Sequence, residues 1–164
     1  MIKLRPIDEK DEIFLWDMLF EITYSLDNDR KPSKQVFLKR QDIYKYVKGF
    51  GLEKSDTGFV AETEEGRLIG AAWYRLYKDD NKGFGYIDDN TPELSIAISE
   101  GYRNKGTGKE LLEALIETAE KKGFASLSLN VDSRNTSAVR LFEAQGFKVL
   151  SNKETSQIMK LILS

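Results

Sequence analysis

Arg103, Gly106 and Gly108 form an R-x-x-G-x-G run directly ahead of a strongly patterned helix. Glycines at a helix start let successive main-chain N–H groups converge on an anion, because no Cβ stands in the way. Arg103 and Lys105 add positive charge beside that point. The same residues would also make a plain strand-to-helix turn with solvated cations, and the pattern alone leaves both open. Two nucleotide motifs come close and fail. In a Walker A loop Gly108-Lys109 would be followed by Ser or Thr, but Glu110 follows, and Arg103 stands where the first glycine belongs. A dinucleotide fingerprint starting at Gly106 meets Leu111 in place of its third glycine.

The second group that could do chemistry is a carboxylate, Glu93, with Ser95 two residues on and on the same face of its strand. A carboxylate titrating at about 4 is a weak base toward an ammonium at about 10, so burial or relay through ordered water would be required. Glu93 is equally readable as a solvated residue at a strand edge beside Pro92.

Composition narrows the chemistry further. The chain has no histidine and no cysteine. That excludes a Ser–His–Asp triad, a histidine base, a histidine-held metal, disulfides and thiol catalysis. Acid–base work falls to carboxylates, Lys, Tyr, water or the substrate. A net charge of −2 argues against a nucleic-acid partner and for a small molecule. No apolar run is long enough for a membrane span, and "MIKLRPIDEKDE" lacks a signal peptide's apolar core. Together with the missing cysteines this leads to the expectation of a cytoplasmic protein without membrane association.

These residues need elements to position them. "IKLRPI" reads as a first strand, and residues 8–24 as a helix with Ile13, Phe14, Met18, Leu19 and Ile22 recurring at helical spacing. "LDNDRKPS" is a polar loop, after which Ser33 caps a second helix predicted to run to about Lys48. "FVAET" and "RLIGAAWYRLY" flank a turn at Gly66, and "KDDNKGFGYIDDNTP" is a long loop. "ELSIAIS" is a two-faced strand. The glycine-led helix carries Leu111, Leu112, Leu115, Ile116 and Ala119 on one stripe and stops at Gly123. "ASLSLNV", a helix in "NTSAVRLFEAQG", and the strands "FKVLS" and "SQIMKLIL" complete the chain. Without repeats or a credible linker, residues 1–164 are expected to form one domain.

The stretch "PELSIAIS" through "FEAQGFK" resembles the GNAT (Gcn5-related N-acetyltransferase) superfamily. R-x-x-G-x-G and the downstream N-x-x-A-x-x-L-[YF]-x-x-x-G-F, matched at Asn135, Ala138, Leu141, Phe142, Gly146 and Phe147, stand in that family's order. The resemblance implies an α/β (α+β) fold. Its mixed central sheet would have six to seven strands, be flanked by about four helices, and splay between the fourth and fifth strands. It implies an acetyl-CoA-dependent N-acetyltransferase, without metal, acting on a primary amine of a small molecule or peptide by direct attack in a ternary complex. Cofactor contacts would come from Arg103, Asn104, Lys105, Gly106, Thr107, Gly108 and Lys109 at the pyrophosphate. Ile96, Ala97 and Ile98 would hold the pantetheine arm along the splayed edge, with Asn135, Ala138 and Phe142 beyond it. A backbone N–H of that edge would also face the oxyanion of the reaction. Glu93 would be the general base and Ser95 the holder of a relay water.

Three departures from the family pattern matter. Glu100 replaces a frequent proline, Asn104 replaces a glycine, and Phe142 replaces a tyrosine thought to protonate the departing thiolate. A phenyl ring cannot donate a proton. Departure is then unassisted, or another hydroxyl serves, with Tyr86 and Ser137 as candidates. Asn135 can cap its helix and bond the pantetheine at once. Phe14, Trp16, Met18, Tyr24, Tyr44 and Tyr46 border the acceptor groove in this fold, and most are expected to be core. Asp79, Asp80, Asp88 and Asp89 could steer a cationic amine but read better as a solvated loop. A monomer or homodimer is expected. A catalytically weak acyl-CoA-binding sensor or partner-binding module is the alternative, and a nucleotide-binding regulatory domain is a more distant one.

Overall fold

The computed structural model describes residues 1–24, 26 and 32–164. Of the loop read at 26–33, residues 27–31 lie outside the described residues, as does Ser25. The elements in chain order are β1 (Lys3–Pro6), α1 (Glu12–Tyr24), α2 (Lys34–Phe37), α3 (Gln41–Tyr44), β2 (Thr57–Glu62), β3 (Leu68–Arg75), β4 (Glu93–Ile98), α4 (Thr107–Lys121), β5 (Ser126–Asp132), α5 (Thr136–Ala144), β6 (Lys148–Lys153) and β7 (Ser156–Ile162). The strands form one sheet in the order β1-β2-β3-β4-β5-β7-β6. Every neighbouring pair is antiparallel except β4–β5. The mixed sheet, its strand number and the parallel pair agree with the expected fold class.

Two cores sandwich the sheet. On one side Leu15, Met18 and Leu19 of α1 meet Phe37, Ile43 and Val47 over Val60, Ala71 and Trp73. On the other, Leu111, Leu112, Leu115 and Ala119 of α4 and Phe142 of α5 cover Ala61, Ala72, Tyr74, Leu94 and Leu129. Because helices cover both faces, β3 is apolar almost throughout rather than alternating. Among the described residues no helix is long and apolar enough to cross a membrane.

Two local expectations are corrected. The second helix does not run to Lys48. It breaks at Arg40, which is extended (φ −78°, ψ 102°) as the cap of α3. There the guanidinium holds both oxygens of Asp42 and the Tyr24 hydroxyl on α1, a tertiary arrangement that overrides helical continuity. In α1, Ile13 is 79% exposed and Ile22 partly so, and Leu15 takes the core position instead. Leu15 lies three and four positions before Met18 and Leu19, which stay buried, so it completes their stripe, whereas Ile13 falls on another face. The remaining signals hold: Ser33 caps α2, Gly66 turns the hairpin with φ 84°, and Gly123 ends α4 with φ 85°.

Candidate active site

The site grows out of an incomplete strand pairing. β4 is paired along its whole length with β3, from Arg75↔Glu93 to Gly70↔Ile98. Its pairing with β5 is confined to Glu93↔Ser128, next to a Ser128 N–H to Pro92 carbonyl bond of 2.9 Å. Beyond that point β4 and β5 diverge, and the backbone groups of β4 facing β5 are left without a strand neighbour, so they need another partner. The divergence opens a cleft of about 960 Å³. Leu94, Ser95, Ile96, Ala97 and Ile98 line one wall and 129–132 of β5 and α5 the other, with Glu93 and Phe84 toward one end and Leu19, Glu21, Ile22 and Thr23 of α1 also on the cleft.

At the opposite end stands the glycine loop. Gly106 caps α4 in the left-handed region (φ 87°), which a side chain would strain, and Asn104 preceding it also has positive φ (61°). No side chain caps α4, so its first N–H groups remain available at the positive end of a fifteen-residue helix. Gly106, Gly108 and Lys109 line the cleft there. Gly108 has ordinary backbone, and a Cβ on it would reach Leu141 at 3.4 Å and Ile98 at 3.9 Å. Its lack of a side chain therefore keeps space at the junction of β4, α4 and α5.

Arg103 lines the cleft, but its guanidinium is engaged with the Ile98 carbonyl (2.9 Å) and Glu21 of α1 (3.1 Å). Asn104 lines the cleft as expected. Lys105 does not, its ammonium lying 5.7 Å from the centre of the Tyr102 ring, and Thr107 is buried under the helix start. Asn135 accepts the Ala138 N–H at 3.2 Å as the cap of α5 while also facing the cleft with Ala138. Phe142 reaches the cleft from the core, its ring edge-on to Phe147 at 5.8 Å. Of the two alternative hydroxyls, Ser137 lies on the cleft, whereas Tyr86 is outside it and donates to Asp89.

Glu93 sits where the strands begin to part. It is only 3% exposed, which overturns the solvated reading of its carboxylate. Burial pushes its pKa up from 4.5 to about 7, opposed by hydrogen bonds from the Tyr46 hydroxyl and the Gly85 amide and by the nearby Lys45 charge. Tyr46 donates to Oε2 at 2.7 Å. Ser95 lies next along the same face, nearly buried and on the cleft. The site thus combines an uncapped helix N-terminus, an unpaired strand edge and a buried carboxylate whose pKa is pushed up to about 7.

A model of the acetyltransferase (GNAT) family matches residues 12–147. The chain belongs to this family. It is 41% identical over 59 residues to the [ribosomal protein bS18]-alanine N-acetyltransferase of Escherichia coli K12, a stretch covering 36% of this chain and 40% of that enzyme. It is 37% identical over 89 residues to the spermine/spermidine N(1)-acetyltransferase of Bacillus subtilis, covering 51% of this chain and 55% of the relative. The chain therefore spans about two fifths to just over half the length of these curated relatives. The fold matches a GNAT superfamily phosphinothricin acetyltransferase from Sinorhizobium meliloti solved in complex with acetyl-CoA, with TM-score 0.67, 21% identity and coverage of 99% of this chain and 89% of that one.

Several residues of this GNAT site escaped the sequence reading. Tyr46 looks like one more aromatic at helical spacing, yet it is the partner of Glu93. Glu21 and Arg40 enter the cleft wall from regions without a motif. Gly83 and Gly85, inside the loop read as solvated, pack directly over the Glu93 carboxylate. Their signal was two glycines flanking an aromatic in an otherwise polar loop. The acidic residues of that loop organise it instead of facing the cleft: Asp88 bonds Asn90 and Thr91, Asp89 bonds Asp79 and Tyr86, and Asp79 pairs with Lys82.

Proposed function

We propose that the chain is an N-acetyltransferase that moves an acetyl group from acetyl-CoA to a primary amine within a ternary complex. The observation that carries this reading is the cleft itself. One end offers the uncapped N–H groups of α4, the middle an unpaired strand edge, and the base of the splay a buried carboxylate. Acetyl-CoA would supply the acetyl group as an activated thioester. The residues present fit it: Gly106 and Gly108 leave room for a diphosphate at the helix end, with Asn104, Lys109 and Arg103 around it. The free edge at Ile96, Ala97 and Ile98 can take a pantetheine arm as an added strand. Asn135 and Ala138 border that arm from α5.

Glu93 is the group that accepts the acceptor's proton. At 3% exposure it works best through a water, for which Ser95 provides a hydroxyl on the same face. A pKa of about 7 makes it a far better base than an ordinary carboxylate while still ionised in half the molecules near neutrality. Phe142 delivers no proton, so the leaving thiol relies on its own acidity, with a pKa of about 8.5. Relatives named for an alanine of ribosomal protein bS18 and for spermine and spermidine support an amine acceptor and place no further limit on it.

Release of coenzyme A thiol from acetyl-CoA, measured against polyamines, aminoglycosides, amino acids and peptides, tests the proposal. At least one amine should raise release well above acetyl-CoA alone. Phe142 in the tyrosine position favours a second reading, a catalytically weak acyl-CoA-binding module. Tight acetyl-CoA binding with no amine-dependent release would establish that reading instead.

A further inference from the structure

We propose that Tyr46 is the positioning residue of the base, seating the Glu93 carboxylate and clasping the 83–85 segment across it with one hydroxyl. This rests on the reading of Glu93 as the base.

Tyr46 follows α3 and is 5% exposed. Its carbonyl accepts the Trp73 Nε1–H at 2.8 Å, which fixes its main chain to β3. Its hydroxyl accepts the Phe84 N–H at 2.7 Å and donates to Glu93 Oε2 at 2.7 Å. A phenol has a single proton, so accepting from an obligate N–H donor leaves that proton committed to the carboxylate. The contact is thus directional and fixes which oxygen of Glu93 is occupied. Oε1 is left without a side-chain partner and lies beneath Gly83.

The segment above is built for this approach. A Cβ at Gly83 would land on Glu93 Oε1 and lie 2.9 Å from the Tyr46 hydroxyl. One at Gly85 would lie 3.1 Å from the Glu93 carboxyl carbon and 2.8 Å from the Leu129 backbone. Neither glycine needs positive φ, so close approach is the reason for both. Phe84 between them stacks parallel to the Tyr46 ring (6.2 Å, 8°) and stays 52% exposed at the cleft. The clasp therefore keeps water from one side of the carboxylate while placing an aromatic wall at the acceptor end.

Other groups near Glu93 are committed elsewhere. Arg75, its cross-strand partner, is held by Asp56 and the carbonyls of Lys45, Lys48 and Gly49. Tyr77 donates to the Lys45 carbonyl, Lys45 Nζ donates to the Lys82 carbonyl, and Lys82 pairs with Asp79. Ser128, opposite Glu93 on β5, is the exception: its buried hydroxyl has no hydrogen-bond partner. Tyr46 alone among these side chains has a hydrogen bond to the carboxylate.

Carbon-13 NMR of protein labelled at the glutamate carboxyl carbons tests this without any acceptor, with Glu93→Gln identifying the resonance. Tyr46→Phe keeps the ring packing and removes the donor that favours ionisation, so the Glu93 midpoint should rise by roughly one to two pH units. Tyr77→Phe should leave it in place. An unmoved or lowered midpoint in folded Tyr46→Phe overturns the proposal, since a fall would mean that solvent exclusion, not hydroxyl donation, governs the carboxylate. On an amine found by the thiol-release assay, the acid limb of kcat should move up with the NMR midpoint while the KM for acetyl-CoA stays unchanged. Should Glu93→Gln retain the wild-type rate and profile, the base reading fails, whatever Tyr46→Phe does to the NMR midpoint.

Discussion

Replacing Glu93 by glutamine isolates the cost of burying an ionised carboxylate in this fold. Burial raises the pKa of Glu93 in the folded state from 4.5 to about 7. A group whose folded pKa is raised contributes stability that is fully present below the unfolded value and is lost as pH rises through the folded one. The window is therefore pH 4.5 to about 7, and the full change corresponds to about 3 kcal/mol. Glutamine keeps the shape and can still accept from the Tyr46 hydroxyl, but it never ionises. Between about pH 5 and pH 8.5 the wild-type protein should lose roughly 2–3 kcal/mol more stability than Glu93→Gln. Urea unfolding of both proteins across that range reads the difference directly. Parallel stability–pH curves would mean that the carboxylate is hydrated in solution, which would refute both its burial and the raised pKa on which its proposed role as base depends.

Thermal melts should separate coenzyme A from dephosphorylated pantetheine. At a hundredfold excess over the dissociation constant a ligand stabilises by about 2.7 kcal/mol, and equal shifts would remove the diphosphate from the α4 helix end. Gly106→Ala should cost about 1–2 kcal/mol in urea unfolding, because its left-handed backbone resists a Cβ. Gly108→Val should instead leave a folded protein with weakened acetyl-CoA affinity, measured by calorimetry, since its side chain would fill space between Leu141 and Ile98. Asn135→Ala should lower stability by about 1 kcal/mol through the lost cap of α5. Phe142→Tyr should retain activity in the thiol-release assay and quicken it where thiolate departure limits the rate.

Local signals were legible wherever one short stretch specifies its own backbone. Gly66, Gly106 and Gly123 each sit at positive φ where their neighbours predicted a turn, a helix start and a helix stop. Ser33 and Asn135 cap the helices their positions suggested. The stripe Leu111, Leu112, Leu115 and Ala119 is buried because a 3.6-residue period puts it on one face whatever lies beneath. The same logic failed at Ile13, which α1 turns away from the core, and at Arg40, where contacts with Tyr24 and Asp42 stop a helix that periodicity would continue.

The sequence by itself determined the mixed α/β order of elements, the glycine turn at 106–108 that opens α4 and the presence of a carboxylate at the head of β4. Only the tertiary structure decided that this carboxylate is buried, that Tyr46 forty-seven positions away bonds it, and that Gly83 and Gly85 close over it. Turns, caps and stripes are properties of consecutive residues, so spacing along the chain encodes them. A pKa, an exposed strand edge and a clasp across a carboxylate depend on which distant segments displace water from one another, and that is fixed only when both faces of the sheet are covered.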